Sequence, residues 1–145
     1  MSVENNYKSV CILTEIVSPY RIPVFNILSQ SARIDLEVLF FSKTENRRSW
    51  SISWEKIKFK YKILFSILVS KRYQNGPIFL NPTVIYYLLT KRYDTVICFG
   101  YHHPTIWLTL LLNYILGSRI LLWSESTISD HRDSNIFIEY LKHLL

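Results

Sequence analysis

Apolar residues along this chain fall in short unbroken runs separated by stretches that are apolar on one side only. "SVCILTEI" (9–16) and "DLEVLFF" (35–41) are continuous in the way of strands covered on both faces. Between them "SPYRIPVFNILSQ" sets Ile22, Phe25, Ile27 and Leu28 on the apolar side of a helix, with Pro23 tolerated in its first turn. Two strands joined through a helix within roughly 30 residues form a right-handed crossover, so they run parallel.

The pattern changes at "IKFKYKI" (57–63), where apolar residues alternate strictly with Lys58, Lys60 and Lys62. A period of two means one buried and one wet face, as at a sheet edge, and the lysines guard that edge against pairing with other chains. The preceding stretch, 43–55, is polar apart from Trp50, Ile52 and Trp54 and reads as a loop that partly orders over a site.

"GPIFLNP" (76–82) ends in a helix-start signal, with Asn81 as N-cap and Pro82 as the first helical residue. That helix continues through Val84, Ile85, Leu88 and Leu89 to Lys91 and Arg92, whose charges suit a helix C-terminus. "DTVICF" (94–99) is a further strand closed by Gly100, Pro104 opens a helix that stops at Gly117, and "SRILLW" (118–123) is the last strand. Phe137, Tyr140, Leu141, Leu144 and Leu145 then form a helical stripe. Strands alternating with helices predict an α/β fold: a doubly wound, Rossmann-like parallel sheet with helices on both faces, in a single domain covering 1–145.

Composition adds compartment and partners to this frame. With 49% hydrophobic and 19% charged residues in 145, the chain is globular and long enough for one core. Cys11 and Cys98 sit within apolar strand runs and read as reduced core residues, which points to the cytosol. The first nine residues carry no apolar signal core, and the greasiest stretch, 106–122, is broken by Asn113, Gly117, Ser118 and Arg119, so it reads as helix then strand, not a bilayer span. Lys and Arg outnumber Asp and Glu by 17 to 11, which favours an anionic neighbour, whether phosphate, nucleic acid or an anionic membrane leaflet, while any one basic cluster taken alone reads first as a solvated face. Nucleic acid is not expected, because alternation puts Phe59 and Tyr61 on the face opposite the lysines.

In open parallel sheets ligands bind beyond the carboxyl ends of the strands, where strand order reverses. The polar segments in that position are "EIVSPYR" (15–21), "GYHHP" (100–104) and "SEST" (124–127). They nominate Tyr20, Arg21, Gly100, Tyr101, His102, His103, Ser124, Glu125 and Ser126. Arg21 either binds an anion or faces solvent, and Glu125 either meets substrate or caps the following loop. His102 and His103 are adjacent and cannot share a face, so no metal is expected. No GxGxxG or GxxxxGK[ST] motif is present, and with 3 glycines in the chain a glycine-built phosphate cradle is excluded. Ser124 and Ser126 lack the glycine-flanked elbow of a hydrolase nucleophile.

Three phrases taken together, "TEIVSPYRIPVFNIL", "FLNPTVIYYLLTKRYDTVICFGYHHP" and "LLWSESTISDHR", resemble the N-terminal half of family 4 glycosyltransferases across 11–145. The resemblance implies the acceptor-side domain of a GT-B enzyme that transfers a sugar from a nucleotide sugar, with retention and without a metal, to a polysaccharide or lipid-linked acceptor at the inner face of the cytoplasmic membrane. It makes His102 the candidate catalytic residue near the donor sugar. Tyr20, Arg21, Gly100, Tyr101, His103, Ser124, Glu125 and Ser126 become substrate-binding candidates, with Glu125 matching the acid of a Trp-Ser-Glu ending. The family's loop after the first strand is often glycine-rich and is here "SPYR". The donor-binding domain and its carboxylate pair find no counterpart in these residues, so a separate donor-binding domain or chain is the expected partner, the nucleotide sugar is expected to bind mainly there, and this chain alone is expected to be inactive. The alternative is a noncatalytic binding module or gene remnant with the same fold.

Overall fold

The structure is a computed structural model that describes residues 7–43, 51–73 and 76–123, with side chains left undescribed at 71–73 and 76. The elements run β1 (Lys8–Thr14), α1 (Ile22–Ser29), β2 (Ile34–Phe40), a 3₁₀ turn (Trp54–Lys56), β3 (Lys60–Ile63), β4 (Ile67–Tyr73), β5 (Gly76–Leu80), α2 (Thr83–Lys91), β6 (Thr95–Phe99), α3 (Pro104–Leu116) and β7 (Arg119–Trp123). Among the described residues five strands form one parallel sheet in the order β3-β2-β1-β6-β7. The α/β, Rossmann-like fold expected from the pattern is the fold observed.

The unbroken apolar runs serve two layers at once. Ile12 of β1 and Leu36, Val38 and Phe40 of β2 face α1, packing with its Ile22 and Phe25. Cys11, Leu13 and Leu39, one step out of phase, pack with Val84 and Leu88 of α2 and Ile106 and Leu110 of α3. Ile27, expected on the inner side of α1, is instead exposed. It lies two residues from Phe25, about 200° around the helix, and cannot share its face. In the described part of the 43–55 loop, Ile52 and Trp54 join the α1 layer, Trp54 lying against Tyr61 of β3. Trp50 lies outside the described residues.

The edge strand is shorter than the alternation suggests. Asn26 of α1 grips the chain ahead of it, its Nδ2 donating to the Lys56 carbonyl and its Oδ1 accepting from the Lys58 N–H, both at 2.7 Å. Pairing with β2 therefore begins only at Lys60. Within β3 the lysines are exposed and Tyr61 is half-buried, as alternation requires, but Ile63, expected on the buried face, is exposed at the end of the strand, and Lys60 reaches Asp35 at 2.6 Å.

The antiparallel hairpin β4–β5 is a second, two-stranded sheet that the hydrophobic pattern does not announce. Its anchor is Asn81, which corrects the N-cap assignment. α2 has no side-chain cap, and Asn81 is fully buried with its amide turned inward. Nδ2 donates to the carbonyls of Phe41 (2.9 Å) and Phe65 (3.0 Å) and to Ser66 Oγ (2.9 Å), while Oδ1 accepts from Thr105 Oγ1 (2.9 Å). Its backbone N–H donates to the same threonine oxygen at 2.9 Å. One side chain thus ties together the end of β2, the entry to the hairpin and the first turn of α3.

A second polar cluster lies under α2. Glu37, buried on β2, accepts from Lys91 Nζ at 2.7 and 2.6 Å and from the Tyr93 hydroxyl at 2.5 Å. Lys91 therefore does more than face its own helix end. Cys11 and Cys98 are free, fully buried thiols on this side of the sheet, as the strand pattern implied. Burial pushes the Cys98 thiol up to about 12. It also raises Cys11 well above the usual thiol value, with Cys98 and Glu37 adding to the effect, and raises the Tyr93 phenol, with Cys11 and Glu37 contributing.

Candidate functional site

Strand order reverses between β1 and β6, whose register pairs Leu13 with Cys98, so the chain leaving each strand opens toward a shared crevice. From the β1 side comes Arg21, which ends the loop and precedes α1. Its Nη1 donates to the buried Thr14 Oγ1 at 3.0 Å, and its guanidinium carbon lies 4.5 Å from the Phe99 ring centre and 5.4 Å from that of Tyr20. A cation over ring faces keeps its charge while part of its hydration is replaced by the rings' negative faces. Phe99 in turn stacks on Trp123 at 5.5 Å and 18°. Tyr20, Arg21, Phe99 and Trp123 form one aromatic and cationic surface over the ends of β1, β6 and β7.

From the β6 side, Gly100 turns the chain with φ of +77°, and its N–H donates to the Trp123 carbonyl at 2.9 Å. A Cβ there would meet His102 Nδ1 at an ordinary 3.6 Å, so the requirement for glycine is conformational. Gly100→Ala is expected to cost about 1 kcal/mol of stability, the penalty of placing an L side chain in the left-handed region. Thermal melting checks this, and an unchanged midpoint would remove the argument. Tyr101 and His102 follow as a stacked pair at 4.7 Å, both half-buried, and the Tyr101 carbonyl accepts from Trp107 Nε1 at 3.0 Å.

His103 faces the other way. It is 3% exposed, stacked on Phe79 and edge-on to Phe41. Its Nδ1 accepts the Phe79 N–H at 3.1 Å, so Nε2 carries the proton in the neutral ring and lies 2.9 Å from Glu15 Oε1. Both nitrogens are engaged inside the fold, which makes His103 a strut between the hairpin and the rim of β1. The adjacent histidines thus divide, His102 half-buried against Tyr101 and His103 into the core.

The structure brings Tyr20, Arg21, Gly100, Tyr101 and His102 to one end of the sheet, whereas Ser124, Glu125 and Ser126 lie outside the described residues. Glu15, Thr14, Phe99 and Trp123 join the site without having been singled out. Each is the last or first residue at a strand's carboxyl end, which is the signal that locates them. Among the described residues no group of three or more His, Cys, Asp or Glu could hold a metal ion, and no helix is long and apolar enough to cross a membrane. No protein-family model matches this sequence, and no curated protein or solved structure matches it.

Proposed function

We propose that this chain is the acceptor-binding half of a retaining, family 4-like glycosyltransferase of the GT-B type, working at the cytoplasmic face of the membrane on a polysaccharide or lipid-linked acceptor. The observation that carries the reading is the surface of Tyr20, Arg21, Phe99 and Trp123 at the switch point. Aromatic faces offer apolar area to the C–H faces of a sugar ring, and a fixed guanidinium offers donors to its hydroxyls or to a linked phosphate. The three phrases resembling the family support the same reading.

In this reading His102 donates a hydrogen bond to a sugar hydroxyl from the β6 end, and Tyr101 fixes its ring by stacking. The nucleotide sugar is held by a second domain or a separate chain, since transfer requires both reactants positioned in one cleft. A noncatalytic module would use the same surface to bind a glycan without needing His102.

Titration with a panel of hexose oligosaccharides, followed by Trp emission and amide shifts, tests the assignment. Oligosaccharides are expected to shift residues 18–21 and 99–102, while UDP-glucose leaves them unmoved, and Tyr20→Ala with Arg21→Ala is expected to weaken binding about tenfold or more. Preference for the nucleotide sugar, or glycan binding indifferent to both substitutions, overturns it. Fusion to a donor domain of this enzyme class separates the two functions: an active transferase should lose about tenfold or more in His102→Ala.

A further inference from the structure

From residue 56 to residue 93 the chain carries eight lysines and arginines and no aspartate or glutamate. The excess positive charge of the whole protein is thus concentrated in the segment that forms β3, the β4–β5 hairpin and α2. In the middle of it lie Phe65, Ile67, Leu68 and Val69, exposed at 66, 44, 42 and 54%. Lys60 and Lys62 precede these residues on β3, and Lys71 and Arg72 follow on β4.

Ile67, Leu68 and Val69 are consecutive, so apolar side chains project from both faces of β4, unlike a strand with one wet face. β5 is the hairpin strand that packs on α3, and β4 lies outside it, paired among the described residues with β5 alone. Exposed contiguous apolar surface of this kind marks an interaction site. Its chemistry, Phe65 and three aliphatic side chains bracketed along the chain by cations, of which Lys60 is paired with Asp35, matches the boundary between anionic headgroups and acyl chains.

We propose that the β4–β5 hairpin, with the lysine edge of β3, docks this protein on an anionic phospholipid bilayer. Nucleic acid is a poorer fit, because Ile67, Leu68 and Val69 offer bases neither stacking faces nor hydrogen bonds and Phe65 is the one ring in the patch. The root of the hairpin is joined to the crevice rim through the Phe79 N–H, His103 and Glu15, so docking sets the crevice beside the bilayer. The assignment deepens the membrane-face location in the reading above and depends on it only for location; the sugar titration is carried out without lipid, so either can fail alone.

Flotation of the full chain with vesicles of phosphatidylglycerol and phosphatidylcholine, against phosphatidylcholine alone, tests it. Binding is expected to need phosphatidylglycerol. Lys58→Gln with Lys62→Gln should weaken it roughly 25-fold, at about fivefold per charge. Phe65→Ser with Val69→Ser should abolish the binding that persists at high salt, while the variant, altered only at exposed positions, melts as the parent does. Lys8→Gln with Arg119→Gln, at the amino ends of the strands, should bind as the parent. Absence of flotation, equal binding to both vesicles, or equal loss in the amino-end pair overturns the proposal. So does a parent chain that ignores vesicles but dimerises or binds RNA through Phe65 and Val69.

Discussion

Asn81→Ala is expected to lower the free energy of unfolding by about 3 kcal/mol and the melting temperature by about 10 °C. The alanine removes the donor shared by the Phe41 and Phe65 carbonyls and Ser66 Oγ and the acceptor for Thr105 Oγ1, in a site with no room for solvent. A buried polar group left without its partner costs about 1–3 kcal/mol; here the Phe65 carbonyl loses the Asn81 donor outright, while the Phe41 carbonyl, Ser66 Oγ and Thr105 Oγ1 each lose one of several bonds. Asn81→Asp discriminates between two roles. An N-cap accepts aspartate as readily as asparagine, so the substitution would be harmless there. In the observed site the carboxylate would face two carbonyl oxygens with nothing to donate, so aspartate should be at least as damaging as alanine. Denaturant unfolding of both variants decides, and a stable Asn81→Asp returns the residue to the capping role.

Stability is also expected to fall steeply above pH 9. The Cys98 thiol keeps its proton in the fold up to about 12, whereas in the unfolded chain it releases it near the ordinary 9.0. The unfolded state therefore binds fewer protons across this range. The stabilisation is complete below pH 9 and is lost as pH rises toward 12, by about 4 kcal/mol for Cys98 alone at roughly 1.4 kcal/mol per unit. Cys11 and Tyr93, raised in the same direction, steepen the loss. Unfolding curves from pH 8 to 11 should show a slope that Cys98→Val reduces by about one proton. An unchanged slope in that variant would mean that the thiol does not titrate with unfolding.

Fold class was legible because continuous apolar runs and one-sided helices obey different periods, and each run here is long enough to show which it follows. The edge character of β3 was legible from Lys58, Lys60 and Lys62 for the same reason. The hairpin was not: β4 reads Ile-Leu-Val-Ser-Lys-Arg-Tyr, which has neither period, because it packs on one partner strand and little else. Asn81 was misread because its sequence context, just before Pro82 and an apolar helix, satisfies the capping rule while its environment, set by residues 40 positions earlier and 24 later, claims the amide. Local rules carry no information about such partners. The same limit applies to His103, whose burial depends on Phe41 and Phe79. His102 and Arg21 are nominated by position, at the ends of strands flanking the switch point, where topology alone concentrates polar groups.

The placement of β1 at the centre of the sheet also bears on how the chain is made. β1 emerges from the ribosome before the other strands of the sheet, and its partner β2 follows directly, but β6, which closes its other edge, comes about 60 residues after β2. At roughly 5–20 residues per second this leaves the open edge of Val10 to Leu13 unpaired for roughly 3–12 s of synthesis. For that interval a nascent strand with an apolar middle waits beside β2 with one side unfilled, so translation speed between residues 41 and 94 and the availability of chaperones should govern the yield of folded protein more than the stability of the finished sheet does.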